Sequence, residues 1–372
     1  MSENKNRILS LDVFRGITII GMILVNNPGT WSSIYPPLKH AAWHGCTPTD
    51  WIFPFFLFIV GVSIDISLNK RKERGDDKTK LIIGIVRRAA ILILLGLLLT
   101  TIPKFDLSII RIPGVLQRIG VVYLIAATLF LYTNLRQQII IGSVILIGYW
   151  LLMTLVPVPG VGYANLEPGT NLAAWVDSKL LAGHMWSVTK TWDPEGILST
   201  FPAVVSTISG MMLGAWLRKE QEPYNRTVWI FVAGVLALVA GEFWGIFFPL
   251  NKSLWTSSYV IYTSGIAAIF FAMCYWIVDV INVKFWTYPF VVSGMNAILI
   301  FFGSGLMAKF SFLIKVTIAE GKEISLQGYL FTTFLKPYFT PENASLIYAL
   351  LFTFVWFVIA AIFHRFKIFL KV

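Results

Sequence analysis

Long apolar runs, separated by polar segments, recur from one end of the chain to the other. Each run holds about 20 residues, enough for a helix to cross a hydrocarbon core of ~30 Å. The pattern predicts an all-α, polytopic transmembrane helix bundle of about ten spans, near 16–36, 52–69, 81–101, 113–133, 138–156, 197–217, 227–248, 256–279, 288–307 and 344–363. We expect residues 1–372 to form a single domain, and the first run to be a retained span because it lacks the order of a cleaved signal peptide.

Composition and charge agree with a membrane bundle and predict its orientation. The chain is 56% hydrophobic and 13% charged, whereas soluble domains carry about 25% charged residues. With the N-terminus inside, 19 Lys and Arg residues fall on the inner side of the spans and 10 on the outer side. Basic residues accumulate in short cytoplasmic loops, so both termini are predicted to be cytoplasmic. The net charge of +11 is thereby explained without a nucleic-acid partner.

The segment from Lys39 to Gly61 carries the candidate chemistry. His40, His44 and Asp50 directly precede the apolar part of the second span, which places them at its outer mouth. Imidazole exchanges a proton near neutral pH, so either His suits a general base or a nucleophile, and residue chemistry alone does not choose between them. We expect no metal, because apart from Asp50 no third Cys, His or carboxylate stands at ligand spacing.

The segment RIPGVLQR is predicted to place two arginines on one helix face. Arg111 and Arg118 are seven residues apart, which puts Arg118 about 10 Å deeper in the membrane. A buried Arg needs an anionic partner. A salt bridge to Asp65 or Glu242 and a bound phosphate or carboxylate both meet that need, and both interpretations stay open.

Six segments between Leu11 and about Leu299 resemble the heparan-alpha-glucosaminide N-acetyltransferase family: LDVFRGITIIGMILVNN, KHAAWHGCTPTDWIFPFFLFIVG, RIPGVLQRIGVVYLIA, WDPEGILST, PLNKSLWTSSYV and PFVVSGMNAIL. Lysosomal members of the family move acetyl from cytosolic acetyl-CoA to a terminal glucosamine across the membrane. The resemblance implies acetyl-CoA as co-substrate, an amino-sugar acceptor and a homodimer. For this chain it suggests a bacterial inner (cytoplasmic) membrane protein acting on a periplasmic acceptor.

The resemblance also assigns roles to individual residues. The family's catalytic histidine matches His40, while the Asn that follows in the family pattern is His44 here. The family's Val-Asn pair matches Val25 and Asn26, which implies that Asn26 stabilises the oxyanion of a tetrahedral intermediate. Asp50 is expected to orient the imidazole. Three residues are expected to contact the acceptor: Trp43, His44 and Arg111.

Basic residues at the inner face are expected to hold the CoA phosphates, since Arg suits forked phosphate contacts. The candidates lie at the inner ends of, or inside, spans 1, 3 and 4: Arg15, Arg87, Arg88 and Arg118. Asp12 competes for Arg15, because the two are three residues apart on one helix face. Anionic lipid is the alternative partner of Arg87 and Arg88. Transfer is predicted to be vectorial, with the donor inside and the acceptor outside.

Two other functions stay open. A secondary transporter of a sugar or amphipathic solute would use Asp65, Glu242 and Arg118 as coupling residues, and Pro54 inside the second span is a feature of that kind. An O-acyltransferase of envelope glycans is a third possibility. The chain has no Walker loop, GxSxG motif or dinucleotide fingerprint, so nucleotide-driven transport is not supported.

Overall fold

The structure, a computed structural model, describes residues 8–103, 105–219, 222–318 and 322–370. Four basic residues that entered the prediction of topology lie outside these ranges: Lys5, Arg7, Lys104 and Lys371.

Helices dominate the described chain. In order they are α1 (Leu9–Asn26), α2 (Pro48–Glu73), α3 (Lys78–Thr101), α4 (Val115–Tyr132), α5 (Leu135–Leu155), α6 (Leu172–Leu180), α7 (Ile197–Arg218), α8 (Pro223–Gly245), α9 (Ser257–Tyr275), α10 (Tyr288–Met295), α11 (Ala297–Leu313), α12 (Leu326–Phe334) and α13 (Pro341–Arg365). A 3₁₀ turn spans Pro36–Leu38, and α9 ends in a π-helical turn, Trp276–Val280. The strands β1 (Lys315–Thr317) and β2 (Glu323–Ser325) form an antiparallel pair.

The predicted all-α membrane bundle is confirmed. Among the described residues, nine helices are long and apolar enough to span a membrane, and the pair α10–α11 makes a tenth when counted as one bent span. Several helices begin at polar caps that accept otherwise unpaired backbone N–H groups. Asn134 and Gln137 form a reciprocal capping box at the start of α5, and Asp77 caps α3.

Three details differ from the sequence-based prediction. The first span is Leu9–Asn26 rather than 16–36, because the polar residues Asp12 and Arg15 are part of the helix and the chain leaves it before Pro28, which has no N–H to donate. The ninth span is broken at Asn296, where α10 and α11 meet at 81°. The β1–β2 hairpin was not expected in an all-α chain.

Residue contacts divide the chain into two compact units, and whether these make one domain stays a prediction. The first unit holds the described residues of Met1–His40, Thr47–Ile52 and Cys274–Val372. In it α1 packs closely on α10, since a Cβ at Gly16 would lie 1.8 Å from the Phe290 carbonyl oxygen. The Asp279 carboxylate caps α1 by accepting hydrogen bonds from the backbone N–H groups of Leu9 and Ser10.

The second unit holds Ala41–Cys46 and Phe53–Met273. Its helices α2 and α7 approach so closely that a Cβ at Gly61 would lie 1.9 Å from the Thr207 carbonyl oxygen. Near the same contact, Arg218 forms two hydrogen bonds to the buried Asp65 carboxylate, of 2.6 and 2.9 Å. An ion pair between two helices therefore uses Asp65, one of the acids that the sequence offered as a partner of Arg118.

Candidate functional site

A short hydrogen bond joins His40 to Asp50 within the first unit. His40 follows the Pro36–Leu38 turn, and Asp50 lies in the first turn of α2. The imidazole Nδ1 and the carboxylate Oδ1 are 2.6 Å apart. The carboxylate side chain is 1% exposed while the imidazole side chain is 45% exposed, so the acid is buried and the ring remains accessible.

Thr47 holds the Asp50 carboxylate in place. The second carboxylate oxygen, Oδ2, accepts hydrogen bonds from the Thr47 backbone N–H and hydroxyl, both 3.0 Å long. The Lys39 carbonyl lies 2.6 Å from the same Thr47 hydroxyl, so the single hydroxyl proton is shared between this carbonyl and Oδ2, and Thr47 links the residue before His40 to the start of α2. Thr47 was missed in the sequence, although T-x-x-D before an apolar run is a signal of helix capping.

The pair defines which imidazole nitrogen is basic. An ionised carboxylate only accepts hydrogen bonds, so opposite an ionised Asp50 the Nδ1 of His40 carries a hydrogen and donates a hydrogen bond to Oδ1. The lone pair of the neutral ring is then on Nε2. A half-exposed imidazole in one tautomer beside a buried carboxylate is the arrangement of a general base or nucleophile, because the carboxylate also stabilises the imidazolium once formed.

Asn26 belongs to the same unit as this pair. It is the last residue of α1 and its side chain is exposed, so its amide can face a ligand rather than the helix core. The neighbouring Asn27 instead donates its amide to the Ile23 carbonyl at 2.8 Å and closes the end of the helix.

Trp43 and His44 lie in the second unit. The Trp43 indole N–H donates to the Leu166 carbonyl at 2.9 Å, and its ring meets Trp192 edge to face at 5.1 Å. The exposed His44 has Nδ1 3.4 Å from the amide nitrogen of Asn251, a residue that the sequence-based prediction did not include. Trp43 is thus anchored in the unit, while His44 retains accessible surface.

Arg111 pairs with two acids. Its guanidinium forms two hydrogen bonds to Asp193, of 2.8 and 2.6 Å, and one to Glu195 of 2.5 Å. Burial lowers the pKa of Arg111, but the hydrogen bonds and charges of the two acids outweigh that effect and the pKa lies above its ordinary value. The side chain is 24% exposed, and its hydrogen bonds to the two acids engage Nε and Nη2 of the guanidinium.

Arg118 forms neither predicted salt bridge. Because α4 begins at Val115, Arg111 precedes the helix, and the expectation that both arginines share one helix face is wrong. The Arg118 guanidinium donates to the Gly196 carbonyl at 3.1 Å and the Ser199 hydroxyl at 2.5 Å, at the start of α7. Within the described residues its Nε and Nη1 have no hydrogen-bond partner, although the residue is 2% exposed.

The other proposed CoA residues lie in separate helices. Arg15 pairs with Asp12 at 3.2 Å in the first unit, which confirms that expected contact, and remains partly exposed. In the second unit Arg87 is exposed on α3, and the Arg88 guanidinium lies 4.7 Å from the centre of the Tyr123 ring.

A further polar residue lies at the break between α10 and α11. The Asn296 side chain is fully buried, and neither polar atom of its amide has a hydrogen-bond partner in the described parts of the chain. It follows Gly294 by two residues, and a Cβ at Gly294 would lie 2.3 Å from the Asp12 carbonyl oxygen, so the break is close to α1.

Together the fold and the His40–Asp50 pair define a polytopic helical membrane protein that carries a hydrogen-bonded imidazole and carboxylate. The model of the catalytic region of heparan-alpha-glucosaminide N-acetyltransferase matches residues 7–241, and the chain belongs to this family.

Two relatives carry the name heparan-alpha-glucosaminide N-acetyltransferase. The protein from Homo sapiens is 32% identical over 306 residues, which cover 67% of this chain and 45% of the relative. The protein from Mus musculus is 29% identical over 309 residues, which cover 68% of this chain and 46% of the relative. The chain therefore matches less than half the length of both relatives.

Proposed function

We propose that this protein transfers the acetyl group of acetyl-CoA to the amino group of a glucosamine or glucosamine-ended saccharide. The observation that carries the proposal is the His40–Asp50 pair, with its accessible ring and buried carboxylate. Family membership supports this choice among the reactions that such a pair serves.

In the proposed reaction the neutral amine attacks the thioester carbonyl, and Nε2 of His40 takes the proton that the amine loses. The imidazolium forms beside the ionised Asp50. The Asn26 amide stabilises the oxyanion of the tetrahedral intermediate. Collapse of the intermediate breaks the C–S bond, and the proton passes to the leaving thiolate, which gives N-acetyl product and free CoA. In the two-step alternative His40 itself carries the acetyl group before the amine attacks.

Within the first unit, α1 supports a donor that enters from the inner face. Arg15 and Asn26 are 11 residues apart on this helix, so they are separated by about 17 Å along its axis. We propose that phosphates bind near the Arg15 end and that the acyl arm follows α1 towards Asn26. The buried, unpartnered Asn296 amide near the Asp12 turn supports this path, since the arm contains amides that need partners where water is excluded.

For the remaining arginines, the KM for acetyl-CoA distinguishes those that hold a phosphate from those that do not. Arg87 and Arg88 are the candidates for phosphate contact in the second unit. Arg118 is proposed to contact the acyl arm, because its place in the first turn of α4 belongs to the end predicted to face outward. An Arg that holds phosphate should raise the KM for acetyl-CoA by more than twofold when changed to Ala. If none of Arg15, Arg87 and Arg88 does so, the phosphates are held elsewhere.

The setting of the reaction follows from the predicted topology. We propose a protein of the bacterial cytoplasmic membrane, with acetyl-CoA reaching it from the cytoplasm and the acceptor from the periplasm. Trp43 and His44 are proposed to contact the acceptor. The implied homodimer stays a prediction, which light scattering of the purified protein tests.

For the second candidate function, a secondary transporter, two of the expected coupling residues have less support. Asp65 is engaged by Arg218, and Arg118 contacts neither Asp65 nor Glu242 in the described chain. The break at Asn296 still resembles a feature of transporters.

Acceptor profiling of the purified protein distinguishes the candidates. With acetyl-CoA and glucosamine, the proposed enzyme releases free thiol and forms N-acetylglucosamine. Release with hydroxyl acceptors but not with amines would indicate O-acyl transfer, and no release with any acceptor would contradict the proposal.

A further inference from the structure

His44 is tied to a buried amide within the second unit. Its Nδ1 lies 3.4 Å from Nδ2 of Asn251, and the neighbouring Gly45 N–H donates to the Leu250 carbonyl at 2.7 Å. Gly45 has a φ of +112°, which favours glycine, so this residue lets the loop turn directly after His44. Asn251 is fully buried, whereas His44 is exposed. The contact therefore fixes one nitrogen of an exposed imidazole and leaves the other nitrogen to be defined by it.

The orientation of the Asn251 amide follows from its second partner. Its Oδ1 accepts a hydrogen bond from the Leu254 backbone N–H at 2.9 Å. A backbone N–H only donates, so the amide atom facing it is the oxygen, and the NH₂ group faces His44. A hydrogen on Nδ1 of His44 would place two donors against each other. Nδ1 therefore holds the lone pair, and in the neutral ring the hydrogen is on Nε2.

His40 and His44 are thus held in opposite tautomers. Opposite an ionised Asp50, His40 has its hydrogen on Nδ1 and a lone pair on Nε2. His44 has its lone pair on Nδ1 and offers a hydrogen at Nε2. Among the described residues, the contact with Asn251 is the only hydrogen bond of the His44 side chain, so its Nε2 is available to a ligand. Of the two imidazoles, His44 is the donor.

We propose that Asn251 is a positioning residue that makes the neutral His44 a hydrogen-bond donor to an ether oxygen of the acceptor sugar, an inference that rests on the function proposed above. An ether oxygen, in the pyranose ring or the glycosidic bond, has lone pairs and no hydrogen, so only this tautomer can bind it. A hydroxyl both donates and accepts, so it would bind either tautomer and would not need the Asn251 contact. The Trp43 ring, edge to face with His44 at 6.1 Å between centroids, adds apolar surface beside the donor.

This assignment separates binding of the acceptor from the chemistry at His40. Loss of the Nε2 donor should weaken the use of amines that carry an ether oxygen, whereas an amine without that oxygen should not respond. Tetrahydropyran-3-amine and cyclohexylamine are a matched pair for this comparison. The first has the ring oxygen in the same position relative to the amine as in glucosamine, and the second has a CH₂ group in its place.

Variants of the full-length protein in detergent change the donor in different ways. Asn251→Asp keeps an acceptor for the Leu254 N–H but faces His44 with a carboxylate oxygen, so the hydrogen should move to Nδ1. His44→Phe removes the donor, and His44→Gln retains an N–H group near the place of Nε2, both without touching the buried amide. Asn171→Asp is the matched control, because Asn171 is also a buried amide of the second unit and its Oδ1 also accepts a backbone N–H three residues on, from Ala174.

Steady-state kinetics measure the effect on binding. We expect Asn251→Asp and His44→Phe to raise the KM for glucosamine and for tetrahydropyran-3-amine about five- to tenfold, as for one lost hydrogen bond. With both amines kcat should stay within about threefold, because the His40–Asp50 pair is unchanged. The KM for cyclohexylamine and for acetyl-CoA should shift by less than about twofold, and His44→Gln and Asn171→Asp should stay within about twofold of the unmodified protein throughout.

Nitrogen NMR of protein labelled with ¹⁵N-histidine reads the tautomer without catalysis, at about pH 8.5, where an ordinary imidazole is neutral. The chain has four histidines, and the signals missing from His44→Phe identify His44. We expect the His44 hydrogen on Nε2 in the unmodified protein and in Asn171→Asp, and on Nδ1 in Asn251→Asp.

Two results would overturn this inference alone: a hydrogen on Nδ1 of His44 in the unmodified protein, or an unchanged KM for both ether-containing amines in Asn251→Asp and His44→Phe. An unmodified protein that acetylates no amine would overturn the proposed function, and the sugar contact of His44 with it.

Discussion

The His40–Asp50 pair and the Arg111 cluster each join a buried acid to a basic side chain, but they leave that side chain in different states. Asp193 is inaccessible, and the Arg111 guanidinium is divided between it and Glu195. The Asp50 carboxylate is just as buried, yet its partner ring is 45% exposed and bound through Nδ1. The first arrangement resembles a structural clamp, whereas the second leaves nearly half of the imidazole side chain exposed.

Burial of a carboxylate therefore does not by itself identify a reactive site. What distinguishes the two regions is whether the basic partner keeps accessible surface and a definite tautomer. Arg111 already engages two acids through Nε and Nη2, so its assignment as an acceptor contact has less support than the other residue assignments. Substitutions in the His40–Asp50 pair should lower activity, whereas substitutions in the Arg111 cluster should lower stability.

The largest effect is expected for His40→Ala. Removal of the general base should lower kcat for acetyl transfer by about 10²–10⁴-fold, because the amine then loses its proton only to water. Thiol release measured with acetyl-CoA and glucosamine checks this result. His44→Ala, another exposed imidazole four residues on, is the matched control and should lose less than tenfold. The opposite order of the two variants would reverse the assignment.

A graded loss is expected around Asp50. Asp50→Asn keeps the shape but removes the charge that stabilises the imidazolium, and its amide can favour the other tautomer, so kcat should fall by about 10²–10³-fold. Thr47→Val removes one hydrogen bond to Oδ2 and should cost only several-fold in kcat. Equal activity of Asp50→Asn and the unmodified protein would show that the carboxylate does not act on His40.

The Arg111 cluster should respond through stability. Arg111→Met leaves the buried Asp193 without its cation, which typically costs about 3–5 kcal/mol, and we expect a clear fall in the melting temperature in detergent. Arg111→Lys should retain part of the stability but cannot reproduce the forked contact. If Arg111 instead binds the acceptor, the KM for glucosamine will rise while the melting temperature holds.

The smallest effect concerns Asp177 in α6. Burial raises its pKa to about 6 from 3.8, although the N–H groups of Ile197 and Asp193 donate to it. Between about pH 4 and 6 the folded protein therefore binds more protons than the unfolded chain. The stability from this group is full below about pH 4 and is lost as the pH rises through about 6.

Thermal unfolding of Asp177→Asn at pH 4 and 6.5 checks the sign of this effect. The variant should gain stability relative to the unmodified protein as the pH rises, by on the order of 1–3 kcal/mol. A constant difference in melting temperature at the two pH values would contradict it.

Much of the fold was predictable from the sequence, because ten long apolar runs each dictate a helix. The start of α1 was misplaced at residue 16, whereas the helix begins at Leu9 and includes Asp12 in its first turn. The bend at Asn296 was also missed, because the flanking sequence is apolar throughout and nothing in its periodicity marks a break. Predicting this bend requires knowledge of how α10 packs on α1.

The site was less predictable than the fold. The spacing of ten residues between His40 and Asp50 does not reveal that their side chains meet, because an irregular loop joins them. His40 was predicted from the resemblance to the family, and Asp50 from the chemistry of its carboxylate. Neither indicated that the two acids engaging Arg111 would come from the segment WDPEG, 82 and 84 residues away. Contacts of that length depend on tertiary packing rather than on local pattern.

Transfer across a sealed membrane tests whether the acetyl group moves from an inner donor to an outer acceptor. Right-side-out vesicles holding the protein and acetyl-CoA are supplied with external glucosamine, with His40→Ala vesicles as the control. We expect N-acetylglucosamine to form outside and CoA to stay inside. The His40→Ala vesicles should form at least about 10²-fold less N-acetylglucosamine. Product that forms only when acetyl-CoA is supplied outside, or that forms equally in the His40→Ala vesicles, would contradict the account.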